Sequence, residues 1–394
     1  LHDALPIQIG RASCRERVIT ALSNTATFNN KPNASILIDR ASVASLSNLP
    51  GGTFTNEGSI TIGGTNSGSP TGIVNSSTFN NTAGEIKVDK TTLVGLSNLL
   101  GTFTNAAKIT IGSADNVGAT GLANTATFNN NPGGEISIDR ATGNALNSLA
   151  GTFTNKAKVV IEALASVAGT GVNNASGATF DNNGCGALLK LVSNSVIANA
   201  GTFSNSGQII ENASGNSAIS SNAGIVQNLN SGTFTIGSGS PVFATAVTNL
   251  TTCVPTNGII DITGLHASTS YTVTSTSGPT VNVTASSDAT GKLSLTGLGA
   301  GTYALTLSGS CVPENITFSA TLTAPANPSL FTVAGSGSFC PNGIGLEITL
   351  SGSATGVNYK LMEGANLIST VAGTGNPLSF GNILQAGTYT VEAV

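Results

Sequence analysis

The chain has 394 residues, of which only 8% are charged, with 49 Gly and no Trp. Its formal net charge of −4 is too weak to steer it toward nucleic acid or anionic lipid, and its apolar runs fall far short of the ~18–20 residues of a spanning helix. Abundant Ile, Val and Thr, punctuated by Gly, Asn and Ser, exclude a disordered chain and predict an all-β extracellular protein.

The first stretch, LHDALPIQIGRASCRERV, differs in texture from everything after it. It lacks a continuous apolar core and its Arg residues lie at the wrong end for a secretory signal. His2 and Cys14 have no surroundings that would make them a catalytic pair. LHDALPI and IGRASCRERV resemble translations of the two strands of a common sequencing-library adaptor, meeting at Gln8. On that resemblance residues 1–18 are a disordered artefact, and the protein's own sequence resumes mid-repeat near Ile19.

Residues 19–250 repeat. A Thr-Phe-x-Asn tetrad places Phe28, Phe54, Phe79, Phe103, Phe128, Phe153, Phe180 and Phe203 at separations of 26, 25, 24, 25, 25, 27 and 23 residues, and a degenerate TFTI follows 31 residues later. Downstream of each tetrad comes a short alternating segment such as SITIG, EIKVD, KITIG or EISID. Apolar residues at every second position mark strands with one buried face. A third apolar anchor (Leu46, Ile73, Leu96, Leu122, Leu146, Val172) precedes an Asn/Ser turn. Three short strands in about 25 residues leave no room for a helix, so the pattern predicts a right-handed parallel β-solenoid whose coils must stack to bury their apolar faces.

Stacking at ~4.8 Å turns equivalent residues into ladders and gives a rod of roughly 40 Å. The eight Phe residues are expected to form an interior aromatic stack. Asn30, Asn56, Asn81, Asn105, Asn130 and Asn155 are expected to cap turns through side-chain to backbone bonds. The first position of the alternating strands reads Ser35, Ser59, Glu85, Lys108, Glu135, Lys158, so opposite charges meet on neighbouring coils. Asp39, Asp89 and Asp139 recur on every second coil, each followed by Arg or Lys. We read both patterns as register devices, with a cassette of two unlike coils copied in tandem.

Beyond residue 250 the texture changes, and all four Tyr lie there. Short strands with frequent turn signals predict β-sandwich modules at 251–325 and 326–394, the second cut off at Val394. Both contain the segment Ala-Gly-Thr-Tyr. The frame CVPTNG–IDIT … TGLGAGTYALTLSGSC resembles repeat modules of large surface adhesins that Bacteroidota-type bacteria export by the type IX route. NPSLFTVAGSGSFC … QAGTYTVEAV is similar to the Ig-like modules that accompany them. The resemblance covers 251–394; the solenoid is similar only in a general way to autotransporter- and haemagglutinin-like repeats. It implies a cell-surface or secreted location, in which disulfides are permitted. Cys253 and Cys311, each followed by Val-Pro, bracket the first module and form the candidate disulfide; Cys340 would pair beyond Val394. Cys185, alone in the solenoid, reads as a buried inert thiol.

The recurring acids keep step with the repeat, as ladder residues do and catalytic groups do not. Glu162, Asp181 and Glu211 occur singly without a His, Arg or Tyr companion, and His266 falls in a predicted exposed turn. No spacing resembles a zinc site, a calcium loop, a P-loop or a nucleophile elbow. The expectation is therefore a monomeric, non-catalytic adhesin fragment without cofactor or metal, a solenoid stalk with sandwich modules. Its partners are glycans or extracellular surfaces, with no nucleic acid and no membrane insertion. A polysaccharide lyase or hydrolase, and more weakly an ice-binding protein, are the alternatives.

Overall fold

A computed structural model describes residues 7–8, 20–64, 69–161, 170–192, 194–251, 256–326 and 329–394. Its regular structure is entirely β. Two compact units are present: Leu1–Asn249 with Thr256–Leu322, and Leu250–Pro255 with Thr323–Val394.

The first unit begins as the expected parallel β-solenoid. Each full coil contributes a Leu strand, a Phe strand and an Ile strand, such as Thr71–Asn75, Thr78–Asn81 and Glu85–Val88. Every strand pairs in parallel with its copy in the next coil, giving three sheets wrapped around one core. Phe54 through Phe203 are buried, with centroids of successive rings 4.4–4.9 Å apart and planes within 16° of parallel. Phe28, at the start of the stack, is only partly buried.

The Asn ladder does more than cap turns. From Asn30 through Asn56, Asn81, Asn105, Asn130, Asn155, Asn182 and Asn205 to Asn222, each Nδ2 donates to the Oδ1 of the following coil at 2.7–2.8 Å. The second Nδ2 hydrogen often reaches a backbone carbonyl, as from Asn81 to Lys108 and Asn130 to Lys158. Buried amides are thereby satisfied, which is the condition for placing them in an apolar interior.

Sequence reading missed a second ladder, at the ends of the Leu strands. Asn24, Asn48, Asn75, Asn98 and Asn124 are linked Nδ2 to Oδ1 at 2.8 Å. Ser148 interrupts it, and Asn174 restarts it toward Asn199. Inside the Leu strands a small residue is obligatory: a Cβ on Gly72, Gly95 or Gly121 would come within 2.4–2.6 Å of the next coil's carbonyl oxygen.

Both ends of the solenoid depart from the regular coil. Ile7 and Gln8 pair alongside Ile36 and Leu37, so part of residues 1–18 is ordered as a two-residue edge strand; an open parallel edge offers unpaired backbone groups to any adjacent segment. Residues 1–6 and 9–19, including His2 and Cys14, lie outside the described residues. At the other end, TFTI does not continue the Phe stack. Ser221–Asn222 takes that place beside Ser204–Asn205, while Thr233–Ile236 pairs with Asn216–Ile219. The coil has shortened to 17 residues, from Gln208 to Ile225, because the strand in the Phe position is only Ser221–Asn222 and a single residue, Ser220, precedes it.

The first sandwich module starts earlier than residue 251. Its strands are β1 (Ala244–Thr248), β2 (Gly258–Thr263), β3 (Ser270–Ser277), β4 (Asn282–Ser286), β5 (Leu293–Leu298), β6 (Gly301–Gly309) and β7 (Val312–Leu322). They form antiparallel sheets of order β1-β2-β5 and β4-β3-β6-β7. The handover from the solenoid lies at Val242, which packs on the solenoid core, and Phe243, whose ring meets Phe318 edge-on.

The second unit repeats this plan. β8 (Val333–Ala334), β9 (Leu346–Leu350) and β12 (Leu378–Ile383) make one sheet; β11 (Asn366–Ala372), β10 (Asn358–Glu363) and β13 (Tyr389–Ala393) make the other. The four Tyr occupy matching places. Tyr303 and Tyr389 donate from Oη to the carbonyls of Gly299 and Gln385, four residues upstream, which is a tyrosine corner and explains the shared Ala-Gly-Thr-Tyr. Tyr271 and Tyr359 accept from the amides of His266 and Ala354, five residues upstream.

Candidate functional site

In the Phe strands, alternation sends Phe and Asn inward and the other two residues of each tetrad outward. The first outward column is Thr27, Thr53, Thr78, Thr102, Thr127, Thr152, Thr179 and Thr202, in direct register across eight coils. The second alternates Asn29, Thr55, Asn80, Thr104, Asn129 and Thr154, then ends in Asp181 and Ser204. All sixteen positions are exposed or half-exposed. The result is a flat lattice of hydroxyls, amides and Thr methyls, with columns about 6.6 Å apart and rungs about 4.8 Å apart. Asp181, its only charge, is engaged by Ser204 Oγ at 2.9 Å and Asn183 Nδ2 at 2.7 Å. Glu85, Lys108, Glu135 and Lys158 belong to a different sheet.

That sheet is the Ile face. Glu85 aligns with Lys108, and Glu135 with Lys158. Lys108 Nζ lies 3.3 Å from Glu85, and Lys158 Nζ 2.8 Å from Glu135. A shallow depression of ≈ 490 Å³, floored by small residues, is rimmed by Glu85, Lys108 and Glu135. Its acids are held by these lysines. Asp89 has another use than charge pairing: its carboxylate accepts from Ser113 Oγ and from the Ala114 and Asp115 amides, stapling the corner loop of the next coil. Lys90 completes the staple by contacting Asp115 at 3.4 Å and the Gly64 carbonyl at 2.8 Å.

Of the acids that occur singly, Glu162 lies outside the described residues. Glu211 is fully buried at the end of a column of Ile, Val and Leu, in register with Leu191 on one side and Asn228 on the other. Burial pushes its carboxyl up to about 7, while the hydrogen bond from Ser217 Oγ (2.6 Å) works against that shift. It faces the core, not a groove.

Two cysteine expectations, the Cys253–Cys311 pair and an inert thiol at Cys185, are overturned. Cys311, in the turn between β6 and β7, is disulfide-bonded to Cys185 of the solenoid, 126 residues away, so it cannot pair with Cys253. Cys253 lies outside the described residues, and Cys340 is an exposed free thiol. Two further contacts reinforce the seam. Lys190 Nζ pairs with Glu314 at 2.5 Å, and the Gln208 amide exchanges two hydrogen bonds with the Glu314 backbone, at 2.8 and 2.9 Å. A signal for this seam exists in the sequence. The outward positions of the Ile strands change from Ser, Thr, Glu and Lys to Leu188, Ile210 and Ile225, all buried.

His266 is also not an exposed turn residue. It is 8% exposed, and one of its ring nitrogens lies within 4.8 Å of the sulfurs of Cys185 and Cys311. Desolvation lowers its pKa, so the ring is neutral at pH 7. The fold thus gathers three metal-ligating groups from widely separated positions.

No protein-family model matches the chain, and no curated protein matches it.

Proposed function

We propose that this chain is a non-catalytic part of an exported bacterial surface adhesin, in which the solenoid presents its Thr/Asn face to glycans. The observation that carries the reading is the in-register lattice from Thr27 to Thr202, whose donors and acceptors repeat every ~4.8 Å without a free charge. Hydroxyl-rich polymers meet such a surface with matched hydrogen bonds, while the Thr methyls offer apolar contact to sugar-ring faces. The Cys185–Cys311 disulfide supports an oxidising, extracellular location. The type IX route rests on the resemblance of residues 251–394. The recurring acids support a non-catalytic role, because Glu85 and Glu135 are paired with lysines and Asp89 holds a loop.

The test is a glycan array combined with an assay for new reducing ends. Binding without turnover, abolished by Thr102→Glu with Thr127→Glu, is expected. Release of reducing ends would replace the proposal with a lyase or hydrolase. Ice binding is the second reading, favoured by the same uninterrupted Thr column; thermal hysteresis lost in the same double variant would select it.

A further inference from the structure

We propose that Cys185, Cys311 and His266 form a Cys₂His site for a soft metal ion of the zinc class when the disulfide is reduced, so that a metal can clasp the same seam that the disulfide clasps when oxidised. The inference does not depend on what the Thr/Asn face binds.

Three observations support it. The ligand atoms of the three residues all lie within 4.8 Å of one another, the two sulfurs through their bond; once reduced, the sulfurs must part to roughly 3.7 Å to reach zinc distances of about 2.3 Å for sulfur, with about 2.0–2.1 Å for nitrogen. Second, His266 is more than nine-tenths buried, and its Nε2 has no hydrogen-bond partner among the described residues. An unsatisfied buried nitrogen costs free energy, and a ligated one does not.

Third, each residue is held by its own backbone. The His266 amide donates to Tyr271 Oη at 3.0 Å, and its carbonyl accepts from Ser287 Oγ at 2.5 Å. Cys311 caps the β6–β7 hairpin. Cys185 lies in a tight turn closed by the bond from the Ala187 amide to the Gly184 carbonyl, with the Gly184 amide tied to Ser206 Oγ. Such second contacts orient ligands before the metal arrives. Cys185 is the half-exposed member, which leaves a side for the ion to enter and for water to serve as a fourth ligand.

The chemistry balances. A dithiol reductant delivers two electrons and two protons, its own sulfurs joining as a disulfide while the Cys185–Cys311 bond opens to two thiols. Binding of Zn²⁺ then releases one proton from each thiol to solvent. The neutral imidazole contributes a lone pair without losing a proton.

The experiment uses the full chain with Cys14, Cys253 and Cys340 changed to Ser, reduced anaerobically and titrated with Zn²⁺ against a chromophoric chelator. One equivalent should bind with release of two protons, and X-ray absorption at the zinc edge should fit two sulfurs and one nitrogen from the protein. His266→Gln should weaken binding at least about tenfold. Binding within twofold of the parent in His266→Gln, fewer than two sulfur ligands, or no stoichiometric binding would each overturn the proposal. The absorption spectrum is read on chain that retains all three ligands, so misfolding of the variant cannot mimic either result.

Discussion

The solenoid and the sandwich modules solve the burial problem in opposite ways. In the solenoid, the neighbour of each interior residue is its own copy one coil away. Phe stacks on Phe, Asn bonds Asn, and the energetic quality of a position is set by whether the next coil repeats it. In the modules no residue meets its copy, and a few anchors fix the fold: Tyr303 and Tyr389 tie a corner, while Tyr271 and Tyr359 receive a turn amide. A ladder should therefore be most sensitive in its middle and wherever the copying fails.

The largest effect is expected in the stack. Phe128 is fully buried between two rings, and Phe128→Ala should cost about 3–5 kcal/mol. Phe28 has a ring on one side only and is partly exposed, so Phe28→Ala should cost about 1–2 kcal/mol. Urea melts of the two variants compare middle with end; equal losses would contradict the copy-dependent view.

Next comes Glu211, the buried acid at which an aliphatic column ends. Its folded-state pKa of about 7 exceeds the unfolded 4.5, so the folded chain holds the proton more tightly. Stability from this group is fully present below about pH 4.5, falls as pH rises toward 7, and stays low above it. The loss is on the order of 3 kcal/mol. Glu211→Gln retains an acceptor for Ser217 and should remove that slope, raising stability at pH 8 more than at pH 5. Parallel pH profiles for both chains would show that Glu211 is not the titrating group.

Much of this was legible because repetition is itself structural information. The Phe stack, the first Asn ladder, the strand order and the Glu–Lys alternation follow from aligning the sequence with itself. What was not legible depended on contacts between unlike segments. Cys185 meets Cys311 across 126 residues, and only the shift to Leu188, Ile210 and Ile225 on the outer face hinted that something covers those coils. His266 reads as a turn residue by its neighbours in sequence, and its burial comes from the seam. The second Asn ladder reads in the sequence as a polar turn after the third apolar anchor, and nothing in that composition says that Asn48 or Asn75 faces inward.

That break is itself a prediction. Among the described residues, Ser148 Oγ and Asn174 Oδ1 are buried without partners, and Asn124 turns its amide to the carbonyls of Ala126 and Thr152 instead. A serine is too short to carry the ladder between Asn124 and Asn174. Ser148→Asn should reconnect it and stabilise the solenoid by about 1 kcal/mol, or about 2–4 °C in Tm. An unchanged or lowered Tm would mean that the gap in the ladder is not a defect.

The smallest effect concerns charge. Glu135 and Lys158 are both close to half-exposed, so their 2.8 Å pair contributes little free energy by itself. Its value lies in what it excludes. With coils in register, slipping by one coil leaves Phe on Phe and Asn on Asn, so neither ladder resists the error. The charge column does resist it, because moving Glu135 from its place between Lys108 and Lys158 brings like charges together in a cassette two coils long. Glu135→Lys puts three cations on successive rungs and should cost about 0.5–1 kcal/mol at low salt, most of it recovered in 1 M NaCl. If the cost persists at high salt, Glu135 acts through packing rather than charge, and the alternation does not serve register.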